Sequence, residues 1–468
     1  MKNISRHADL ADRDLQHLLH PQSNIVDVLK EGPKIMEMGK GIRVKDATGK
    51  DVIDGLAGLW CVNVGYGRPE LAEVMKLAAE NLSYFHSFSG MSNPPEILLA
   101  EKLAAMAPGD LNRVFFGCSG SDANDTIMKI VWHYNYIKGR PEKKKIISRW
   151  SSYHGTSIST ASLTGLPTFH APYNLPLPEV LHTEMPHYYR FGKPGESEAD
   201  FTARIVDALE KMILDEGPET IGAFIAEPIT GAGGVVAPSK GYFEAVQKLL
   251  KKHDILMIAD EVICGYGRLG ANFGSEIFNI KPDLMASAKG LTSGYFPLSA
   301  VFITDEIWQG LKEGSEKTGN FAHGYTYSGH PIGCAVALKN LEIIEEEGLV
   351  ENALVMGGYL HNQLEAAFKD NPHVGQIRGQ GLLAGIQLMV DAGDKKFFDP
   401  KRKIPFRIQQ TAYKNGLICR NLPSVTSIAL SPPLIVTRAD IDEIVGLLAK
   451  SFDEVLGDLS KEDLKPAG

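Results

Sequence analysis

The sequence predicts an α/β protein: a large domain built on a mostly parallel, doubly wound sheet, with a smaller α+β domain beside it. Two observations predict it. From about residue 110 to 305, short apolar runs alternate with stretches of helical periodicity, the pattern of successive βαβ units. After 328 that alternation stops, and a long helical stretch leads into shorter strands and a closing helix. The chain has 468 residues, 44% hydrophobic and 22% charged, enough apolar material for a large core and too little charge for a disordered chain.

The elements follow in order. Residues 1 to about 35 are polar and read as an extended arm with a short helix. GIRVKDATGKDVIDGLAG alternates apolar and polar residues around the turn DATGK, which predicts a β-hairpin. PELAEVMKLAAENL has helical apolar spacing, and PPEILLAEKLAAMA is a second helix opened by prolines. The strands of the large domain are RVFFG, KKIISRW, IGAFIAEP, ILMIADEV, DLMASA and LSAVFIT, with helices over 121–138, 200–215 and 241–253. A helical stretch from Pro331 to Phe368 is expected to break near Gly348. The strands LLAGIQLMV, GLICR and SIALSPPL then precede a helix capped by Thr437 or Asp440. The tail SKEDLKPAG is expected to fray. We divide the chain into 1–64 (arm and part of the small domain), 65–330 (large domain) and 331–468 (linking helix and C-terminal small domain).

Several classes are disfavoured. A net charge of −9 with pI ≈ 5.9 argues against a nucleic-acid footprint. No window reaches the roughly 18–20 uninterrupted apolar residues of a membrane span. The start, MKNISRHADLADRDL, has charges where a signal peptide needs an apolar core, so a cytoplasmic location is expected. Five cysteines without a CxxC pair, and histidines without HxxxH or HExxH spacing, predict neither a disulfide framework nor a metal site.

The chemistry is expected at the carboxyl ends of the strands. Asp260 ends the apolar run DILMIADEV. Lys289 lies in MASAKGLTSGYFPLSAV, whose uncharged flanks predict burial. A strand that delivers a carboxylate, and another that delivers one lysine, suit pyridoxal phosphate (PLP). The lysine bonds to the cofactor aldehyde, and the aspartate keeps the pyridine nitrogen protonated. In FFGCSGSDAND, Ser119, Gly120 and Ser121 open a helix and offer a phosphate cradle, although an ordinary capped helix accounts for them equally well. In RWSSYHGTS, Tyr153 can stack on a flat ring, but alone it reads more simply as packing; His154 reads as a hydrogen-bonded structural histidine. Glu227, in AEPITGAGGV, is either a partner in the site or an incidental strand-end charge. Val262 can pack on the ring, and Thr326, in FAHGYTYSGHP, can add a phosphate contact. GYGRLG at 265–270 matches G-x-G-x-x-G, but no helical periodicity follows, so a dinucleotide site is rejected.

Assembled, these residues resemble the class III PLP-dependent aminotransferases, and specifically the ω-amino acid:pyruvate group. The matching segments are AGLWCVNVGYGRPEL, SGSDAN, SYHG, EPITGAGGV, ADEVICGYGRLG, SAKGLTSGYFPLSAV and HGYTYSGHP, and the likeness runs from about residue 20 to 458. The resemblance implies the PLP fold type I (aspartate aminotransferase-like). It makes Lys289 the Schiff-base lysine and Asp260 the pyridine-nitrogen partner. Tyr153 stacks on the ring with Val262 opposite, while Gly120 and Ser121 bind phosphate. Tyr325 and Thr326 reach the cofactor phosphate of a neighbouring subunit, which implies a homodimer with shared sites; pairing of dimers into tetramers stays open. Trp60 and Phe88 line the substrate pocket, and Arg420 binds the substrate carboxylate. Asp122 stands where the family usually has Glu. The implied reaction is ping-pong transfer of an amino group from an ω-amino acid or amine to pyruvate. A PLP-dependent decarboxylase or racemase on the same fold, or a non-catalytic PLP-binding protein, stays open as an alternative.

Overall fold

The computed structural model describes residues 2–466. Its centre is a seven-stranded sheet. In spatial order the strands are Leu111–Gly117, Ser299–Thr304, Leu284–Ser287, Leu256–Asp260, Ile221–Ala226, Lys145–Arg149 and Val180–Thr183. Only Ser299–Thr304 runs antiparallel to its neighbours; the pairs from Leu284–Ser287 outward to Val180–Thr183 are parallel. Every residue of Ile221–Ala226 is buried, as expected of a strand covered on both faces. Helices Gly120–Ile137, Glu198–Glu216, Tyr242–Lys252 and Asp305–Thr318 supply the cover. The register pairs Asp260 with Ala286, so the carboxylate lies beside the strand that delivers Lys289 just past its end.

Two further sheets lie outside it. Met36–Lys40, Arg43–Asp46 and Asp51–Asp54 form an antiparallel meander, joined in parallel by Leu417–Ile418. Val374–Gln380, Leu383–Asp391, Ser427–Leu430 and Arg420–Leu422 form the main path of a five-stranded antiparallel sheet, with Lys396–Phe397 on its flank.

The structure departs from the sequence expectation in places. The N-terminal arm is two helices, Lys2–His17 and Ile25–Glu31, the second capped by Asn24. Val180–Thr183 escaped notice because four residues are too few for a period. Val374–Gln380 escaped because two glycines interrupt its alternation. The tail is held: Arg407 pairs with Asp463 at 3.0 Å and Pro466 bridges to Phe398, while Ala467 and Gly468 lie outside the described residues.

Other features follow local chemistry. The long helical stretch divides into Pro331–Glu346 and Leu349–Phe368 at Gly348, whose φ of 60° a side chain would strain. Thr437 is the N-cap of Arg438–Leu456, and Asp440 completes the capping box. GYGRLG forms turns, not a helix start. Its Arg268 is fully buried, donating to the Leu382 and Pro432 carbonyls and to Asn63 Oδ1, so it clamps three segments together. Among the described residues, no helix is long and apolar enough to cross a membrane, and no His/Cys/Asp/Glu cluster could hold a metal ion.

Candidate active site

Three neighbouring strands end on the same edge of the large sheet and deliver the polar groups. Asp260 is the last residue of Leu256–Asp260, Glu227 follows Ile221–Ala226, and Lys289 follows Leu284–Ser287. Lys289 opens a short 3-10 turn with φ 45°, a left-handed conformation that costs a lysine free energy.

Asp260 is 3% exposed and fully hydrogen-bonded. Oδ2 accepts from His154 Nδ1 at 2.7 Å and from Asn124 Nδ2 at 2.8 Å, and Oδ1 accepts from the Val262 amide at 3.1 Å. Burial, the largest single influence, raises its pKa; the bond and charge of His154 with the Asn124 and Val262 bonds together outweigh it, and the carboxyl sits below its ordinary value. Asn124 also donates to the His154 carbonyl at 2.8 Å, locking the histidine in place. The Asp260 contact requires the proton on His154 Nδ1, which leaves the buried Nε2 without a partner.

Lys289 is also displaced downward, which for a lysine favours the neutral form. Burial lowers its pKa first; Asp260, Cys61 and Glu227 push it back up, and Arg420 lowers it further. Arg420 is the one cation in that set. Its guanidinium is half-buried on strand Arg420–Leu422 and donates to no ion-pair or hydrogen-bond partner among the described residues. A desolvated guanidinium without an acceptor is a receptor for a carboxylate.

Glu227, 3% exposed, braces the frame of the site. Oε1 accepts from the Tyr153 amide at 3.1 Å and Oε2 from the Gly231 amide at 2.8 Å, so it fixes both the aromatic and the glycine-rich turn. Burial raises its pKa. Behind it, the buried Arg149 donates to the Glu227 carbonyl at 2.7 Å. The Tyr153 hydroxyl accepts from Gln22 Nε2 at 3.5 Å, and its ring meets Phe169 edge-on at 5.8 Å. Glu261 turns away from the cleft: it accepts from the Gly274 and Ser275 amides and the Ser275 hydroxyl, and burial pushes its pKa up to about 7.

The start of Gly120–Ile137 closes one side. Ser119 and Asp122 form a capping box, and Asp122 also accepts from the Cys118 amide and the Ser299 hydroxyl. This cap leaves the first-turn amides of Gly120 and Ser121 facing outward without helical acceptors. A Cβ on Gly120 would come within 3.0 Å of Val262 Cγ1, so the glycine keeps the gap beside Val262 open. Ser121 Oγ accepts from the Thr156 amide at 3.2 Å. Trp60, 4% exposed with φ 67°, lies with Cζ3 3.5 Å from where a Cβ on Gly231 would stand.

Of three further residues, only Tyr325 touches the helix start beside the site. Phe88, 45% exposed, packs on Gly324, beside the segment that carries Tyr325 and Thr326. The Tyr325 hydroxyl donates to the Asp122 carbonyl at 3.1 Å. Thr326 is exposed, and its carbonyl accepts from the Tyr84 hydroxyl at 2.7 Å. Sequence reasoning missed Asn124 as a site residue and undervalued His154. Asn124 offered one signal: it is a polar residue on an otherwise apolar face of its helix, with Ala123, Ile127 and Val131.

The cleft suits a flat cationic heteroaromatic ring with an anionic tail. A buried ionised carboxylate, an aromatic, a valine and first-turn amides without helical acceptors are the groups such a ligand would need.

The sequence profile described as aminotransferase class-III matches residues 29–452. The diaminobutyrate–2-oxoglutarate transaminase of Halomonas elongata is 45% identical over 98% of this chain and 99% of its own. The structure of an omega transaminase from Pseudomonas jessenii in complex with PMP matches with a TM-score of 0.94 and 45% identity, over 96% of this chain and 98% of that one. A thermostable omega transaminase changed at a tryptophan, a phenylalanine and an arginine, and engineered for asymmetric synthesis of enantiopure bulky amines, matches with a TM-score of 0.93 and 44% identity over 96% and 99%.

Proposed function

The chain belongs to the class III aminotransferases, and from that premise we propose that it transfers the amino group of an ω-amino acid or amine to pyruvate. The observation that carries this reading is the guanidinium of Arg420, half-buried and without an ion-pair or hydrogen-bond partner among the described residues, whose charge bears on Lys289 and Tyr153. One such cation suits an acceptor with one carboxylate.

The cofactor is pyridoxal phosphate. When bound, it supplies an electron sink for the carbon that loses its proton. The residues present fit it. In our reading Asp260, held ionised by His154 and Asn124, pairs with the ring nitrogen. Tyr153 and Val262 sandwich the ring, while Gly120 and Ser121 hold the phosphate, with Ser119 fixing the cap. Glu227 keeps Tyr153 and the glycine-rich turn in register. Lys289, once free and neutral, would accept the donor-carbon proton at Nζ and give it up to the carbon on which the bound cofactor places the released electron pair. Its depressed pKa keeps the neutral form available closer to neutral pH. Arg420 orients the carboxylate of donor or acceptor, and Trp60 bounds the substrate space.

Phe88, Tyr325 and Thr326 enter this reading through a second copy of the chain. Tyr84, Phe85, Phe88, Met91, Ile97 and Leu98 are all exposed, an apolar face that supports burial in a homodimer with shared sites. Light scattering of the purified enzyme at twice the 51.0 kDa chain mass checks it.

The Halomonas relative's name favours a second reading, with 2-oxoglutarate as acceptor. Single-donor assays with each acceptor decide. Stoichiometric alanine from pyruvate supports the proposal, and glutamate formation with no alanine overturns it.

A further inference from the structure

We propose that the chain binds a small dianion, bearing a phosphate or two carboxylates, in a second cavity where the large domain meets the C-terminal antiparallel sheet. The cavity holds about 340 Å³ and is lined by residues including His187, Lys193, Gln376, Arg378 and Lys395. That volume falls in the range of small-ligand sites.

Its charge is one-sided. Three cations line it (Lys193, Arg378 and Lys395) against one carboxylate, Glu198, which is already engaged by the Lys240 amide. The chain as a whole carries −9, so this is a local reversal of sign. Among the described residues, no carboxylate forms an ion pair with any of the three cations. Arg378 is only 7% exposed, and its bonds go to neutral acceptors: Nε to the Gly234 carbonyl at 2.7 Å and Nη2 to Ser427 Oγ at 2.9 Å. A buried guanidinium without a counter-ion is costly, and an anion in the cavity relieves that cost. Burial and the nearby Arg190 hold its pKa down to about 9, in keeping with a missing negative charge.

A further donor lies there. Gln376 Oε1 accepts from His187 Nε2 at 3.2 Å, and the Gln376 side-chain nitrogen makes no hydrogen bond among the described residues. His187 is 3% exposed; with its proton on Nε2, its unpartnered Nδ1 is an acceptor and offers an anion nothing. Lys395 Nζ sits 4.7 Å over the Tyr189 ring at the rim. The site also touches both halves of the cleft: Gly234 belongs to the turn braced by Glu227, and Ser427 lies on the strand paired with Arg420–Leu422.

Calorimetric titration of the PLP-saturated enzyme with inorganic phosphate and, separately, with succinate tests the proposal. One equivalent of at least one probe per chain is expected. Binding should weaken by about tenfold or more in the Lys193→Glu/Lys395→Glu double variant, which keeps its turnover, and persist in Arg420→Ala. Phosphate alone names a phosphate ligand, and succinate alone a dicarboxylate. The proposal is overturned if neither probe binds, if binding survives the charge reversal unweakened, or if it is lost in Arg420→Ala.

Discussion

Replacing His154 with alanine removes the 2.7 Å bond to Asp260 Oδ2, between side chains 0% and 3% exposed. A hydrogen bond to a charged group contributes about 1.5–3 kcal/mol, and more is at stake when the group left behind is buried. At about 1.36 kcal/mol per pKa unit, the loss lifts Asp260 by about one to two units. Asn124 Nδ2 and the Val262 amide still hold the carboxylate, so the lower end applies. The sign is fixed. Asp260 sits below its ordinary pKa and must be ionised to act, so losing a donor moves the acid limb of the rate profile upward and leaves the alkaline limb in place. The assay is a single-turnover absorbance measurement of the half-reaction with saturating amine, across pH. His154→Ala should shift its acid limb up by about one unit, while the rate at neutral pH changes little because Asp260 stays ionised there. His154→Asn should recover most of that shift, because its amide nitrogen stands where Nδ1 stood. An alanine variant with the wild-type acid limb would refute the reasoning, as would an asparagine variant no better than alanine.

Three further outcomes follow from the structure. Arg420→Ala should raise KM for carboxylate-bearing substrates by about 10- to 100-fold, while an amine without a carboxylate keeps its KM. Because the Arg420 charge lowers the Lys289 pKa, the same variant should push the alkaline rise of the half-reaction to higher pH; an unmoved profile contradicts that coupling. Glu261 is fully buried with its pKa raised to about 7, so the folded state holds a proton that the unfolded state releases near its ordinary value. Relative to Glu261→Gln, the wild type should therefore lose up to about 3 kcal/mol of stability as pH rises from about 4.5 to about 7. Denaturation midpoints of the pair across that window check it, and a constant difference between them rejects it.

Much of the architecture was legible along the chain, because strand and helix periods are local. The run ILMIADEV reads as a strand wherever it lies, and an apolar strand that ends in a carboxylate points to the edge where α/β sheets bind ligands. The short edge strand Val180–Thr183 was not legible, since it is too brief for its period to stand out, and of the two N-terminal helices only one short helix was expected in the polar arm. Asp260 and Lys289 could be picked from sequence because each interrupts an apolar neighbourhood. What only tertiary structure decided is partnership. His154 meets Asp260 across 106 residues, Arg378 meets Gly234 across 144, and Arg268 meets Asn63 across 205. The crossovers and the parallel register set those pairs, and a side chain carries no local mark of which distant group it will meet. Nor does sequence reveal that Arg420 lacks an acceptor. That is a property of the whole surrounding shell, and it exists only once the chain has closed around it.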